Sequence, residues 1–407
     1  MGTDWSTAWA PRHEDINQCV ACGLCLPFCP TFRLTGDEAA SPRGRLAAMA
    51  AVADSRVPID GRFAEIMEFC LQCRACEAVC PSLVPFGRAM DGARAEIAAH
   101  HPAGASTARR WAFGTAIDRD GWVKAATVGA AVAQRMGVAA RIGPARGLRR
   151  IRPHSGSRGR SWDPEGSPRG TVALFTGCVM DAWFPEVHAA VIGVLRMAGY
   201  RVEAPAAQGC CGALAAHEGA ASAAERMAET NVAAFTGYES VVVDAAGCGA
   251  HLAASGHWSA GGDDLAARVV DATVLVARLI DRGLVPASDG DHGPIAVQDP
   301  CHLRHAQGIV AEPREILAAA GYLPVDIDPL GLCCGAAGSY SLSHPEASAE
   351  LGARKAAEIA ASGARVVATA NPGCDMQLRR FVAAGVRVAH PVELYWEVAA
   401  SAHSSTA

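Results

Sequence analysis

Two cysteine runs near the N-terminus decide the fold of this part of the chain: CVACGLCLPFCP at residues 19–30 and CLQCRACEAVCP at residues 70–81. Each has the spacing C-x2-C-x2-C-x3-C-P, which binds 4Fe–4S clusters in pairs. Three closely spaced thiolates wrap around one cluster, and the fourth lies beyond that loop and reaches the other cluster. The predicted ligands are Cys19, Cys22, Cys25 and Cys80 for a first cluster, and Cys70, Cys73, Cys76 and Cys29 for a second.

A pair of zinc sites or a set of disulfides is the alternative for these runs. Tetrahedral zinc takes two C-x-x-C-like pairs for each ion and has no use for the third cysteine of each run. The spacing therefore favours iron–sulfur clusters.

The composition is that of a folded protein that keeps its cysteines reduced. The chain has 407 residues, of which 50% are hydrophobic and 19% are charged, which is ample material for two or three packed domains. Its 16 cysteines are too dilute for a small secreted disulfide scaffold and indicate metal or redox chemistry in a reducing cell. A net charge of −5 gives no overall attraction to nucleic acid, so no nucleic-acid partner is expected.

The sequence shows no targeting pattern. Its start has neither a secretory signal nor a twin-arginine pair. No segment has the roughly 20 apolar residues that a membrane-spanning helix needs. We therefore expect a soluble or peripherally bound protein.

The remaining eight cysteines form an internal repeat in the C-terminal half. The first copy contains Cys178, Cys210, Cys211 and Cys248, and the second contains Cys301, Cys333, Cys334 and Cys374. The first three positions are offset by 123 residues and the fourth by 126, which indicates an insertion of three residues. A duplicated module of roughly 120 residues explains this spacing.

Each module has a pattern of alternating strands and helices. Apolar runs at residues 171–175 and 294–298 predict strands, and a cysteine loop follows each of them. Because ligands gather at the carboxyl ends of parallel strands, the four thiols of each module are expected to converge on one site. The predicted fold class is α/β overall, with a mainly α-helical N-terminal domain followed by two duplicated α/β modules.

The predicted organisation has four parts. They are a two-cluster 4Fe–4S domain at residues 1–105, a helical and basic linker rich in Arg, Gly, Pro and Ser at 106–169, and modules at 170–290 and 291–400.

With these motifs, the chain resembles the iron–sulfur subunit of glycolate oxidase (glycolate dehydrogenase). That family joins a ferredoxin-type domain to two cysteine-rich modules, called CCG modules after their Cys-Cys-Gly turn. The resemblance covers nearly the whole length and also rests on four short segments at residues 36–38, 42–45, 338–345 and 369–374. CCG modules also occur in subunits for lactate utilisation, anaerobic glycerol-3-phosphate dehydrogenase and heterodisulfide reductase.

The resemblance implies an electron-transfer subunit that has no catalytic residue of its own. Electrons would come from FAD on a partner subunit, pass through two 4Fe–4S clusters and leave toward a quinone-type acceptor. The chain itself shows neither a G-x-G-x-x-G fingerprint after a strand nor a P-loop. The implied location is cytoplasmic, with peripheral binding to the inner face of the cell membrane left open.

One departure from related modules concerns the end of each repeat. Some CCG modules end in C-x-x-C and supply a fifth cysteine to a non-cubane cluster, but here the corresponding positions are His251 and Gln377. Four thiols in each module suffice for a 4Fe–4S cluster or a zinc ion, and the sequence leaves open whether either module holds one. His251, His302 and His305 are either ligands or hydrogen-bonded structural residues, and the second interpretation is favoured for His302 and His305.

Three functions from different classes are compatible with these motifs. The favoured one is electron transfer in a flavin-dependent glycolate oxidase, with a lactate or glycerol-3-phosphate dehydrogenase subunit as its near alternative. In the second, the CCG modules themselves reduce a disulfide, and the missing fifth cysteines count against it. In the third, the chain is a metal-binding scaffold without redox activity.

Two groups of arginines are candidates for contacts with a cluster, a partner or lipid. Ser41 followed by Pro42 predicts a helix start, and Arg43 and Arg45 behind it either tune a cluster or are solvated or paired with nearby acids, which is favoured. The basic segment at residues 141–169 is expected to be a solvated linker, with a contact to anionic lipid or the flavin subunit as the alternative.

Overall fold

The N-terminal region consists of short helices that surround the two cysteine runs. The computed structural model describes residues 5–100, 105–138, 144–151, 154–288 and 290–406. Ser41 caps one of these helices, since its Oγ accepts a hydrogen bond from the Gly44 N–H at 2.9 Å, as the Ser-Pro pattern predicts. The helices are His13–Asn17, Pro30–Thr35, Pro42–Ala53, Gly61–Glu68, Ala75–Ala78 and Phe86–His100, with 3-10 turns at Leu26–Phe28 and Glu38–Ala40.

The segment between this region and the first module is partly helical. It contains the helices Ala105–Trp111 and Asp120–Arg135, a π-helical turn at Ala112–Ala116, a 3-10 turn at Pro144–Gly147 and a strand, β1, at Ser161–Trp162. Residues 141–143 and 152–153 of the basic segment, and residues 139–140 before it, lie outside the described residues. Across the described ranges, no helix is both long enough and apolar enough to cross a bilayer.

The first module is a five-stranded sheet with helices on its faces. Its strands are β2 (Gly170–Phe175), β3 (Tyr200–Glu203), β4 (Val241–Val243) and β5 (Val269–Asp271), in the order β1-β3-β2-β4-β5. All neighbours are parallel except β1, which pairs with β3 in the antiparallel direction. The helices are Val179–Trp183, Pro185–Met197, Ala213–His217, Ala221–Ala234, Ala246–Leu252, Gly262–Arg268 and Ala272–Asp281, with a 3-10 turn at Ser255–His257.

The second module repeats this arrangement. Its strands are β6 (Gly293–Val297), β7 (Tyr322–Asp326), β8 (Val366–Ala368) and β9 (Arg387–Ala389), all parallel in the order β7-β6-β8-β9. The helices are Cys301–Arg304, Ala311–Ala319, Tyr340–Ser343, Pro345–Ala361, Pro372–Phe381 and Pro391–Thr406. The order matches that of β3-β2-β4-β5, which confirms the predicted α/β class and the duplication.

The two modules share a hydrophobic core. Leu195 of the first module and Ile316, Val392 and Tyr395 of the second are fully buried in one cluster, and each buried aliphatic side chain contributes about 1.5–3 kcal/mol. Gly193 allows the close approach of the two modules, because a Cβ at this position would lie 2.5 Å from the Trp396 ring. The strands and helices that carry the cysteines of both modules therefore pack on one common core.

Candidate metal centres

The eight cysteines of the N-terminal runs line two neighbouring cavities. The first cavity, of about 450 Å³, is lined by Cys19, Cys22, Cys25 and Cys80, together with Cys76. The second, of about 310 Å³, is lined by Cys29, Cys70, Cys73 and Cys76. Each cavity thus contains one complete crossed set, with three cysteines from one run and the last cysteine of the other, and Cys76 borders both cavities.

The backbone of both runs is wound in the same unusual way. Ala21 and Gly23 in the first run, and Gln72 and Arg74 in the second, all have positive φ angles, between 50° and 80°. Only one of the four is glycine, so the other three positions carry backbone strain, of the kind found at binding sites. Such turns aim consecutive N–H groups into a concavity that suits an anion, and the Gln72 N–H already lies 3.3 Å from the Cys70 Sγ.

The second cavity contains a buried positive charge that has no carboxylate partner among the residues that the structure describes. Arg45 is fully buried, and its guanidinium donates to the carbonyl oxygens of Ile66 and Ala40 and to the Thr31 hydroxyl. The Nη1 atom lies 4.0 Å from the Cys29 Sγ, while the Nη2 atom is buried with no hydrogen-bond partner in the described part of the chain. A 4Fe–4S cluster with four thiolates is an anion, so the residues of this cavity fit such a group.

In the CCG modules, by contrast, the sulfur atoms touch one another. The Sγ atoms of Cys178 and Cys210 lie 3.4 Å apart in the first module, as do those of Cys334 and Cys374 in the second. The other thiols of each module hydrogen-bond in the same chain of contacts, so all four predicted cysteines of each module come together. The two quartets are Cys178, Cys210, Cys211 and Cys248, and Cys301, Cys333, Cys334 and Cys374.

All sixteen cysteines lie in the described ranges, and all of them are free thiols. Within those same ranges, no group of three or more Cys, His, Asp or Glu side chains is placed to hold a single metal ion. A 4Fe–4S cubane needs its four thiolates farther apart than a single tetrahedral ion does, so the lack of a single-ion site in the described ranges does not bear on a cubane site.

Hydrogen bonds between neighbouring thiols separate the acidities within each quartet. In the first module, a bond from Cys178 lowers the pKa of the Cys210 thiol well below its usual value. In the second module, bonds from Cys333 lower the pKa of both Cys301 and Cys334. In both quartets, neighbouring thiols therefore have pKa values shifted in opposite directions.

The second module also surrounds its sulfurs with polar side chains. His302 Nδ1 lies 3.4 Å from the Cys301 Sγ, and the Asn371 amide donates to the Cys374 Sγ at 3.6 Å. The corresponding residues of the first module are Val179 and Ala245, whose side chains cannot donate. Hydrogen bonds to sulfur stabilise electron-rich thiolates and clusters.

The three histidines singled out from the sequence have different surroundings. His302 and His305 are both hydrogen-bonded, the latter through Nε2 to the Gly331 carbonyl oxygen at 2.8 Å, but His302 lies in the short helix Cys301–Arg304 and not in a loop. His251 packs against Trp258, with ring centroids 5.5 Å apart, and its Nε2 is buried with no partner in the described residues. Burial lowers the pKa of His251 to about 4, so it is neutral at pH 7.

The second N-terminal cavity adjoins the second module. Tyr340 and Cys333 of the module share one buried cluster with Leu71 and Cys73, and Cys301 packs against it. Burial, and then the charge of Cys301, raise the pKa of the Cys73 thiol. One side of the second cavity is therefore in direct apolar contact with the second quartet.

A larger cavity of about 890 Å³ lies where the N-terminal region meets both modules. Its lining includes Gln72 and Arg74 of the second run, His217 and His251 of the first module, and His302 of the second. It brings side chains that neighbour three of the four cysteine sites to one space.

The arginine predictions divide into one confirmed and two wrong. Arg43 pairs with Glu38 at 2.7 Å, as favoured, but Arg45 is neither solvated nor paired with an acid. Arg149 is also not part of a solvated linker: only 12% of its side chain is exposed, and it binds Asp375 at 2.8 Å and Glu393 at 3.0 Å. The interpretation failed because these acids lie more than 220 positions away in the sequence.

Sequence reasoning missed two polar residues at the cysteines, Thr31 and Asn371. The Thr31 hydroxyl lies 3.2 Å from the Cys29 Sγ, and it follows the Cys-Pro end of the first run. Asn371 lies three positions before Cys374. The signal for both is a short polar side chain within three residues of a ligand-type cysteine.

Comparison with known proteins agrees with this layout. The model of a 4Fe-4S dicluster domain matches residues 15–84, and that of a cysteine-rich domain, CCG, matches twice, at 172–253 and 295–379. The probable glycolate oxidase iron-sulfur subunit of Bacillus subtilis (strain 168) is 31% identical over 419 residues, with 95% of this chain and 94% of the relative covered. This chain belongs to the family of glycolate oxidase iron–sulfur subunits.

Two further relatives extend the comparison. The glycolate oxidase iron-sulfur subunit of Escherichia coli (strain K12) is 29% identical over 374 residues, which covers 89% of each chain. Lactate utilization protein A of Oceanobacillus iheyensis is 27% identical over 238 residues, covering 55% of this chain and 95% of the relative. As a member of the glycolate oxidase iron–sulfur subunit family, the chain is one subunit of an oxidoreductase, and the predicted ferredoxin-type and CCG parts are confirmed. The domain boundaries stay predictions.

Proposed function

We propose that this chain transfers electrons as the iron–sulfur subunit of a flavin-dependent glycolate oxidase. The observation that carries the proposal is the pair of cavities with crossed cysteine sets, which share Cys76 and therefore lie side by side. A 4Fe–4S cluster accepts and releases one electron at a time, so two adjacent clusters form a path through the N-terminal region. The lactate-utilisation relative supports a hydroxy-acid donor as a class, and the two glycolate oxidase relatives favour glycolate within it.

The proposed ligands are the crossed sets. Cys19, Cys22, Cys25 and Cys80 hold the first cluster, and Cys29, Cys70, Cys73 and Cys76 hold the second. Backbone N–H groups of the positive-φ turns in both loops, and Arg45 at the second cavity, would offset the negative charge.

The proposed path continues into the second CCG module. Cys73 of the second set lies in one buried cluster with Cys333, against which Cys301 packs. The polar side chains at Cys301 and Cys374 support a redox group or reactive thiols there rather than in the first module. Whether that group is a further cluster or the thiols themselves is an outcome of the test below.

Partners are proposed on chemical grounds. Oxidation of a 2-hydroxy acid needs a hydride acceptor, and the sequence has no dinucleotide fingerprint, so FAD on a partner subunit is the proposed electron donor. A quinone-type acceptor would take the electrons that leave.

We propose a cytoplasmic location with peripheral membrane contact through the helix Asp120–Arg135. Trp122, Val128 and Val132 on this helix, and Met136 after it, are exposed large apolar side chains. Such a patch marks an interaction surface, and Lys124 and Arg135 supply positive charge beside it. Flotation with anionic vesicles should be lost in Trp122→Glu; unchanged flotation would reject this contact.

Iron and acid-labile sulfide, measured for each chain after anaerobic purification, test the main proposal. About eight irons and two interacting 4Fe–4S signals in electron paramagnetic resonance (EPR) of the reduced protein are expected, and about twelve or sixteen would place clusters in the modules too. Cys73→Ser should lose about half of the iron of the two-cluster protein and the interaction between the signals. Cys248→Ser in the first module is the matched control and should keep both N-terminal clusters. Zinc in place of iron would overturn the proposal.

A further inference from the structure

A buried arginine without a counter-charge requires an explanation. Removing a guanidinium from water costs several kcal/mol unless an anion lies close to it. Arg45 is fully buried, no carboxylate among the described residues pairs with it, and its Nη2 atom has no partner. Its other contacts are carbonyl oxygens and a hydroxyl, which orient the group but do not neutralise its charge.

The position of Arg45 identifies the missing anion. Its side chain lines the second cavity beside Cys29, Cys70, Cys73 and Cys76, with Nη1 4.0 Å from the Cys29 Sγ. We propose that Arg45 is the buried counter-charge of the second cluster and raises the reduction potential of that cluster alone. This inference rests on the proposed cluster-binding function.

The physical reason is the charge change on reduction. One electron from the partner's flavin adds one negative charge to the cluster, and a cation nearby stabilises that reduced state. Burial by itself has the opposite effect, since a low dielectric disfavours the more highly charged state. Arg45 is fully buried and pairs with no carboxylate in the described part of the chain, so its charge is weakly screened toward the cluster.

Among the described residues that line the first cavity, none supplies an equivalent buried charge. Its nearest arginine, Arg43, has 33% of its side chain exposed and is held by both oxygens of Glu38, at 2.7 and 3.0 Å. Arg43 also donates to the Ala21 carbonyl oxygen rather than to a sulfur. Its charge is therefore neutralised and screened, which makes Arg43 the matched control.

A raised reduction potential of the second cluster would set the direction of electron transfer between the two clusters. The second cavity is the one that adjoins Cys333 and Cys301 of the second module. An electron that enters through the first cluster is then drawn toward the module side of the pair.

The test is an EPR-monitored redox titration of the purified full chain. Two midpoint potentials are expected in the unaltered protein, and Cys73→Ser identifies the one that belongs to the second cluster. Arg45→Met should lower that potential by at least about 59 mV, a tenfold change for a one-electron couple, and move the other much less. Arg45→Lys, which keeps the charge, should restore most of the value, and Arg43→Met should move the second potential less than Arg45→Met does.

Iron content separates this inference from the proposal on which it rests. If the unaltered protein holds no pair of clusters, the proposed function fails. If Arg45→Met keeps both clusters and the second potential does not fall, the counter-charge role is wrong, and it is equally wrong if Arg45→Lys behaves like Arg45→Met. If Arg45→Met loses one cluster, Arg45→Gln is titrated in its place. Loss of the cluster in both neutral variants, with retention of the cluster in Arg45→Lys, supports the counter-charge role. Loss of the cluster in all three variants overturns it.

Discussion

The two CCG modules have the same fold and the same four-thiol arrangement, yet their surroundings differ. Both place their cysteines after parallel strands, in loops or in the first turns of the helices that follow, and in both a pair of sulfurs lies 3.4 Å apart. The second quartet has His302 and Asn371 at its sulfurs, where the first has Val179 and Ala245. Only the second quartet shares a buried cluster with Cys73.

This difference shows what the duplication kept and what it changed. Strand order and a few turns are enough to bring four thiols together, so both modules have kept the four-thiol arrangement. The side chains around the thiols can differ between the modules without a change in the fold. The second module carries His302 and Asn371 at its sulfurs, where the first module has side chains that cannot donate.

The largest effect that tests this comparison concerns the anchoring of the second module. Arg149→Ala should destabilise the protein by about 3 kcal/mol, because Glu393 and the buried Asp375 lose a partner, while Arg379 still pairs with Asp375. The residue of the first module that corresponds to Asp375 is Gly249, which has no charge to pair. Hydrogen exchange should therefore rise at residues 372–393 and not at 246–268.

Arg150→Ala is the control for this change, since Arg150 is exposed and its loss should alter the free energy of unfolding by no more than about 0.5 kcal/mol. An equal loss in both variants, or faster exchange in the first module, would show that the Arg149 contacts do not anchor the second module.

The cysteine spacing carries most of the fold and of the candidate sites, for a physical reason. The crossed sets, the offset of 123 residues and the strand–loop pattern are local or periodic features, and the structure brings the cysteines together as they imply. The environment of a charge is not local. Arg43 and Arg45 are two positions apart, yet one is at the surface and the other at the bottom of a cavity, because a helix turns them about 200° apart.

The next effect is the pH dependence contributed by His251, a residue whose position in the second module holds a glutamine. His251 occupies the position of Gln377, and its pKa is lowered by burial to about 4 in the folded state, against about 6.5 when unfolded. A folded-state pKa below the unfolded value means that stability is unaffected above about pH 6.5 and is lost as the pH falls toward 4. His251→Gln should remove this loss, which is on the order of 2 kcal/mol at pH 5.

Urea unfolding of both proteins between pH 8 and pH 5 measures this difference. Other buried histidines titrate in both proteins, so the informative quantity is the gap between the two curves. A gap that stays constant over this pH range would mean that His251 is not held neutral by the fold.

The smallest effect concerns the two side chains that pack behind each Cys-Cys-Gly turn, which we call the brace of that turn. In the second module, the Ser348 hydroxyl donates to the Gly335 carbonyl oxygen at 2.8 Å, and the Gln377 amide donates to the carbonyl oxygen of Ser348 at 2.9 Å. In the first module, Ala224 and His251 lie in the corresponding places beside Gly212, so that brace has no hydroxyl. Ser348→Ala should cost about 1 kcal/mol, the typical net value of one hydrogen bond.

Ala224→Ser makes the reciprocal change in the first module. Ala224 and the His251 Nε2, which has no partner among the described residues, both lie beside Gly212. A hydroxyl at position 224 should therefore leave stability unchanged or raise it, although Ala224 is fully buried. Urea midpoints at pH 7.5 would measure both substitutions. If Ala224→Ser destabilises the protein as much as Ser348→Ala does, the two turns are packed differently. The hydroxyl of the brace would then not be the feature that distinguishes the two modules.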